Sequence, residues 1–313
     1  MKAIRVHEFG GVDKLVYEDV EQPTPGKGEV LVRVKAVGVG PWDAWVRSGT
    51  SAVPQRLPLT PGSDLAGVVD RSGAGTPFQS GDEVYGVTNA AFVGAYAGYA
   101  VATATMLARK PATLGFVEAA SVPVVASTAW QMLFEHAHVD ATTRVLVHGG
   151  AGNVGAYAVQ MARDVAHEVI ATALPGDLDY VRALGAHRVI DVRSTPFESV
   201  VADVDVVLDT VGGETLARSF AVLKPGGALV SSVTVPDQEK AARLGVRGLF
   251  FLVNVTSEGL ARIAEMIDGG RLSTCVGDVL PLSEARIAHE MLAGRPHKRG
   301  KLVLRLQDGD LDR

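Results

Sequence analysis

Three glycines are spaced for chemistry that the backbone itself performs. Gly150, Gly152 and Gly155 read G-x-G-x-x-G. They follow an apolar, β-branched run, Arg144-Val145-Leu146-Val147-His148, and precede a small-residue helical pattern over residues 156–162. In a strand–turn–helix setting each has a separate task. The first permits the tight turn, the second lets the backbone approach a pyrophosphate, and the third lets helix pack close against strand. The helix N-terminus then offers unpaired N–H groups and a partial positive charge to the phosphates. The spacing therefore predicts a dinucleotide site lined by Gly150, Ala151, Gly152, Asn153, Val154 and Gly155. An ordinary tight strand-to-helix turn carries the same spacing, so the elements around it have to decide.

The next chemical signal lies about 20 residues further on, where an NAD-binding chain places an acid for the ribose hydroxyls. Here the second strand ends Ala171-Thr172-Ala173-Leu174, with no acid. This argues for NADPH over NADH, with Thr172 and Ala173 beside the cofactor. The following loop, Leu174-Pro175-Gly176-Asp177, has no Lys or Arg. Asp177 reads as an N-cap for a helix beginning near Asp179. Arg182 and Arg193 are the candidate cations for a 2′-phosphate. Metal chemistry has little to draw on. One cysteine, Cys275, allows neither a disulfide within the chain nor a multi-cysteine zinc site. His136, His138 and His148 lack partners at ligand spacing and read as surface or internally satisfied imidazoles.

The chain of 313 residues has the length of two domains, and 47% hydrophobic residues suffice for real cores. A net charge of −5 gives no basic field for nucleic acid. No window approaches 18 uninterrupted apolar residues, and the first residues lack the apolar core of a signal peptide, so a cytoplasmic protein away from membranes is expected. The first 110 or so residues read as short strands between turns, a barrel-like module. Residues 30–35 alternate over a strand at 29–37. Helices are expected at 118–120 and 127–135. From Arg144 strand alternates with helix, with strands at 144–148, 168–173, 188–191, 204–209 and 228–233 and a sixth at 250–255. That alternation implies right-handed βαβ crossovers and a parallel sheet. A helix at 258–268, a strand at 278–280, a helix at 283–292 opening with Ser283 as N-cap, and a strand at 301–306 resemble the first module in texture, as if the chain returned to complete it.

Ordered motifs over nearly the whole length carry a family resemblance. They include Met1-Lys2-Ala3-Ile4-Arg5-Val6-His7-Glu8-Phe9-Gly10, Gly28-Glu29-Val30-Leu31-Val32-Arg33-Val34, Pro61-Gly62-Ser63-Asp64-Leu65-Ala66-Gly67-Val68-Val69 and Gly81-Asp82-Glu83-Val84. The glycine turn, Asp209-Thr210-Val211-Gly212-Gly213, Leu223-Lys224-Pro225-Gly226-Gly227 and Arg299-Gly300-Lys301-Leu302-Val303-Leu304 complete the set. The sequence resembles the zinc-free quinone oxidoreductase (zeta-crystallin-like) branch of the medium-chain dehydrogenase/reductase superfamily. The resemblance implies an α/β protein. On that resemblance a GroES-like β-rich catalytic domain, residues 1–116, is expected to be completed by 257–313, and a Rossmann domain, residues 117–256, to be a doubly wound parallel six-stranded sheet. The resemblance also implies that the nicotinamide is held in the cleft between them and that the protein is a homodimer.

Zinc-dependent relatives carry Cys where Gly40 stands and His-Glu where Ser63 and Asp64 stand, so no zinc is expected; Ser63 and Asp64 read as satisfying turn backbone. The resemblance then implies an NADPH-dependent reductase that passes hydride to a quinone or an α,β-unsaturated carbonyl. The family loop Asn-Pro-x-Asp-x-x-x-Arg-x-Gly runs here from Gly40 through Pro41, Trp42, Asp43, Trp45 and Arg47 to Gly49. Asp43 and Arg47 stand at i,i+4, a spacing for a local ion pair. Trp42, Trp45 and Tyr96 are the substrate-cleft candidates, and no side chain stands out as the catalytic acid. Pro41, Thr128, Val211, Ser232, Phe251 and Leu252 fall where relatives approach the cofactor. Two other readings stay open: an enoyl-thioester reductase of lipid or polyketide metabolism, whose carrier would need the basic cluster at 295–299, and a non-catalytic NADPH-binding regulatory protein.

Overall fold

The structure, a computed structural model, describes residues 1–311. It divides into two compact units, Met1–Val124 with Asn254–Arg313, and Val125–Val253. The first opens with β1 (Lys2–Val6) paired antiparallel to β2 (Leu15–Asp19). β3 (Glu29–Val39) leads into α1 (Pro41–Ser48), followed by β4 (Asp64–Ser72), β5 (Glu83–Val87), β6 (Tyr99–Thr103), β7 (Leu107–Arg109) and α2 (Phe116–Ala120). β3 is central and pairs with β4 and β6 along its first half. Leu31 is buried like Val30, Val32 and Val34, so the simple alternation of that run gives way to burial on both faces.

α3 (Pro123–Trp130) begins with the last two residues of the first unit's opening segment and runs on in the second unit into a π-helical turn, Gln131–His136. Then follow β8 (Arg144–His148), α4 (Asn153–Arg163), β9 (Glu168–Ala173), α5 (Leu178–Ala183), β10 (Arg188–Asp191), β11 (Val204–Asp209), α6 (Gly213–Ser219), β12 (Leu223–Ser231), α7 (Gln238–Leu244) and β13 (Arg247–Phe250). All six strands are parallel, in the order β10-β9-β8-β11-β12-β13. The order reverses beside β8, so the crevice beyond the carboxyl ends of β8 and β11 is the topological switch point. The sixth strand lies earlier than expected. β12 ends at Ser231, opposite Phe250, so the ladder stops there and the apolar run after Phe250 joins no strand.

The chain then forms α8 (Ser257–Asp268), β14 (Val276–Pro281), α9 (Ala285–Leu292) and β15 (Lys301–Arg305). β15 pairs with β3 at Val303↔Gly38 and β14 with β15, giving a seven-stranded sheet with the first strands. Ser283 is not an N-cap: it sits within a single 3-10 turn, Leu282–Glu284, and Glu284 precedes the helix without capping it. Thr256 caps α8 instead, its side chain accepting from the Gly259 N–H.

Candidate functional site

The glycine turn joins β8 to α4 at the switch point. Gly149 turns with φ +72°. The Gly152 N–H donates to the Gly149 carbonyl at 2.8 Å and the Gly150 N–H to the Thr172 carbonyl at 2.9 Å. A Cβ on Gly155 would stand 2.1 Å from the Gly149 oxygen, and one on Gly150 would stand 3.0 Å from Ala171 Cβ. These two glycines therefore serve packing. Gly152, the N-cap of α4, is different. With an ordinary φ of −73° its Cβ would meet only the Gly149 oxygen, at 3.2 Å. Beyond its chain neighbours, that oxygen is the only protein atom within 4 Å of a Cβ there, so packing constrains Gly152 far less than Gly150 or Gly155. The N–H groups of Asn153, Val154 and Gly155, first-turn donors without intrahelical acceptors, face the same end of the helix. α4 has no acid in its first turn. The donor set and the light packing at Gly152 fit a pyrophosphate.

Neighbouring strand ends are pinned by buried polar groups to which the sequence pattern assigns no positioning role. Asp209, fully buried at the end of β11, accepts from the Val211 and Gly212 N–H groups at 3.2 and 2.9 Å through Oδ1. Its Oδ2 accepts from Ser231 Oγ at 2.9 Å, and Ser231 Oγ accepts from the Val233 and Thr234 N–H groups. One carboxylate thus shapes the loops after β11 and β12, leaving Val211 51% exposed. A lone polar residue closing an apolar strand is the signal that could have marked Asp209 and, on β8, His148. Thr172 is buried, its hydroxyl within bonding distance of His148 and the Gly149 N–H. Thr128 is buried in α3, Phe251 packs on the His136 ring at 4.3 Å, and Leu252 is 64% exposed.

At the end of β9, Asp177 holds the N-cap position of α5 without a side-chain bond to its first turn. Arg182 pairs with Asp179 at 2.5 Å. Arg193 follows β10, whose Asp191 lies opposite Ala173. The Asp191 carboxylate accepts from the Arg193 N–H at 2.8 Å and Ser194 Oγ at 3.0 Å, while the exposed Arg193 guanidinium makes no ion pair among the described residues.

In the first unit the family loop forms α1, with Pro41 as its first residue and Gly49 as a left-handed C-cap. The expected Asp43–Arg47 ion pair does not form. Asp43, at the third helical position, turns back so that Oδ2 accepts from the Gly40 N–H at 2.8 Å. Arg47 donates to the Gly10 carbonyl at 3.1 Å and to His289 Nδ1 at 2.8 Å. Because Arg47 can only donate, His289 Nδ1 accepts, and burial holds that ring neutral, its pKa pushed down to about 3. Its Nε2–H then points at Tyr96 Oη, 3.3 Å away, and Tyr96 donates to Asp43 Oδ2 at 3.2 Å. Tyr96 is fully buried with its hydroxyl committed at both ends. Asp43 Oδ1 accepts no hydrogen bond, and burial pushes the Asp43 carboxyl up to about 7.

Ser63 and Asp64 do not serve their own turn. Asp64 is fully buried, accepts from the Val124 N–H at 3.0 Å and pairs with buried Lys301 at 3.0 Å. Gly38 leaves the room: a Cβ there would stand 3.0 Å from both Asp64 Cβ and Lys301 Cε. Trp42 donates from Nε1 to Ser63 Oγ at 3.1 Å, and its ring lies 4.1 Å from Lys301 Nζ. The same ring covers Gly40, where a Cβ would lie 2.4 Å from it. Trp45 is 51% exposed. Among the described residues no group of three or more His, Cys, Asp or Glu is arranged to hold a metal.

Comparison with known proteins is consistent along the chain. An alcohol dehydrogenase GroES-like domain model matches residues 26–112, and a zinc-binding dehydrogenase model matches residues 184–304. The chain is 31% identical to a quinone oxidoreductase of Pongo abelii over 325 residues, covering 98% of each. The quinone oxidoreductase structure from Coxiella burnetii superposes with a TM-score of 0.89 at 31% identity, covering 98% of this chain and 99% of that one. Escherichia coli quinone oxidoreductase, solved in complex with NADPH, gives 0.86 at 27% identity, covering 97% and 100%.

Proposed function

The chain belongs to the quinone oxidoreductase (zeta-crystallin-like) branch of the medium-chain dehydrogenase/reductase superfamily and is an oxidoreductase, and from that premise we propose that it is a zinc-independent, NADPH-dependent reductase of quinones or α,β-unsaturated carbonyls. The observation that carries the reading is Gly152 at the N-terminus of α4, where a Cβ would meet a single protein atom, together with the acid-free end of β9. The first-turn N–H groups of α4 bind the pyrophosphate, Asp209 and Ser231 hold the flanking loops, and Arg193 is the cation available to a 2′-phosphate. NADPH, when bound, supplies the hydride.

Donor chemistry supports zinc independence. At the positions where zinc-dependent relatives carry ligands, Gly40 offers no donor and lies under the Trp42 indole, Ser63 is engaged by Trp42 Nε1, and Asp64 is paired with Lys301. A reductase without a Lewis acid needs an acceptor that is already electrophilic, which favours quinones and enones. Trp45, half exposed, and Trp42 are the aromatic surfaces suited to a flat acceptor. Tyr96 is spent on Asp43, so the final proton comes from solvent. The reading includes a homodimer, which light scattering tests.

Steady-state oxidation of NADPH and NADH against benzoquinone, a larger fused quinone, a short enone and an enoyl thioester tests the reaction. Turnover of quinone or enone with preference for NADPH is expected. Turnover confined to the enoyl thioester, faster turnover with NADH, or stoichiometric zinc by elemental analysis would each overturn its part of the reading.

A further inference from the structure

Beneath the glycine turn lies a chain of hydrogen bonds whose direction can be derived atom by atom. Ser219 Oγ has one hydrogen and gives it to the Thr215 carbonyl, 2.6 Å away. Toward His148 Nε2, at 3.1 Å, it can then only accept, so Nε2 carries the ring proton. The His148 ring is fully buried with Phe197 edge-on at 4.5 Å. Burial, and after it the Arg218 charge, pushes its pKa down to about 3, which holds it neutral. Nδ1 is therefore an acceptor, and Thr172 Oγ1 donates to it at 3.1 Å. With its single hydrogen used, Thr172 Oγ1 offers only lone pairs to the Gly149 N–H, 3.2 Å away. The His148 carbonyl is fixed as well, accepting from Thr210 Oγ1 at 2.8 Å.

Gly149 is the residue on which this chain converges. Its carbonyl accepts from the Gly152 N–H, and that same oxygen is the atom against which Gly155 packs. The Thr172 hydroxyl holds the His148–Gly149 peptide through the Gly149 N–H, and the Thr172 carbonyl holds the Gly149–Gly150 peptide through the Gly150 N–H, so Thr172 fixes both peptides from which α4 starts. We propose that His148 is a positioning residue for the nucleotide site: its Nε2–H tautomer, selected by Ser219, orients the Thr172 hydroxyl to hold the Gly149 amide, and so holds the N-terminus of α4 in binding geometry. The inference rests on the dinucleotide reading of the turn. It also moves Thr172 from a cofactor contact to a support beneath the turn.

Three measurements on the full-length protein test it. Nitrogen-15 NMR of wild type is expected to show His148 as the Nε2–H tautomer; the Nδ1–H tautomer would overturn the derivation. Amide exchange without nucleotide is expected to be about tenfold faster at Gly149 in Thr172→Val, with recovery in Thr172→Ser. Equilibrium titration of Thr172→Val is expected to weaken NADPH and NADH by a similar factor, about tenfold, because the pyrophosphate is common to both. His148→Asn provides the second variant should Thr172→Val not fold, with the same directions expected. A variant with a lowered Tm but wild-type Gly149 exchange and wild-type nucleotide affinity would make the chain merely structural and overturn the proposal. Wild-type protein that binds neither nucleotide overturns the dinucleotide reading and this one together.

Discussion

Gly152→Ala separates what the turn does for the fold from what it does for the nucleotide. Gly152 has an ordinary extended backbone, φ −73° and ψ 166°, so alanine meets no conformational strain. Its methyl would touch only the Gly149 oxygen, at 3.2 Å, which a shift of a few tenths of an ångström relieves. Alanine is a poorer N-cap than glycine, a cost of ~1 kcal/mol at most. That corresponds to a Tm loss of about 2–4 °C. Against a bound pyrophosphate the same methyl stands between phosphate oxygen and the helix N-terminus. Loss of one charge-assisted hydrogen bond costs about 1.5–3 kcal/mol, which is roughly a 10- to 150-fold rise in Kd. Fluorescence titration with NADPH alongside thermal unfolding reads both quantities. Gly155→Ala is the control with the opposite pattern. Its methyl would lie 2.1 Å from the Gly149 oxygen, far inside van der Waals contact, so the helix must back away. Overpacking of that kind costs about 1–3 kcal/mol, and Tm and affinity fall together. A Gly152→Ala protein that binds NADPH within twofold of wild type would refute the assignment of that position to the pyrophosphate.

Arg193→Gln is expected to weaken NADPH by more than about tenfold and leave NADH unchanged, whereas Arg182→Gln, whose cation already pairs with Asp179, changes neither; equal losses for both nucleotides would remove Arg193 from the 2′-phosphate. Burial, opposed by the Gly40 N–H and Lys301, raises the Asp43 pKa from 3.8 to about 7. A raised carboxyl pKa makes its contribution to stability full below the unfolded value and lost as pH climbs through the folded one, up to ~4 kcal/mol across that window. Asp43→Asn should therefore flatten the fall in Tm between pH 4 and 7; identical profiles for the two proteins would contradict this. Gly40→Ala places a methyl 2.4 Å from the Trp42 ring and should expel the indole, costing about 1–3 kcal/mol. In a Trp45→Phe, Trp130→Phe background its emission would shift, and an unchanged spectrum would show that the ring had stayed.

What was legible in the sequence follows from what a linear pattern can encode. The glycine spacing, the apolar strands from β8 to β12 and the alternation of strand with helix are local, and the first five strands of the parallel sheet follow from them. The sixth strand was misplaced because Phe250 to Val255 is the more apolar run, while the actual strand, Arg247–Phe250, owes its pairing to where β12 ends. The polar interior was misread for a similar reason. Asp43 and Arg47 have ion-pair spacing, yet each finds a partner remote in sequence, Tyr96 for one and His289 for the other. Asp64 reads as a turn residue until Lys301, over two hundred residues on, is brought beside it in the space Gly38 leaves.

The departures from the family loop also make sense only together. The Trp42 indole takes the volume a side chain at position 40 would fill, and its Nε1–H and ring face satisfy Ser63 and Lys301. Read singly, Gly40 is a lost Asn. Read with Trp42, Ser63 and Lys301, it is the condition for packing an aromatic ring over a buried ammonium group. A buried ion pair contributes little net stability, but removing one partner strands the other charge at a cost of about 3–5 kcal/mol. Changes at Gly40, Trp42 or Ser63 should therefore disturb the environment of the Asp64–Lys301 pair as well as the aromatic surface, and substitutions within this set should be non-additive.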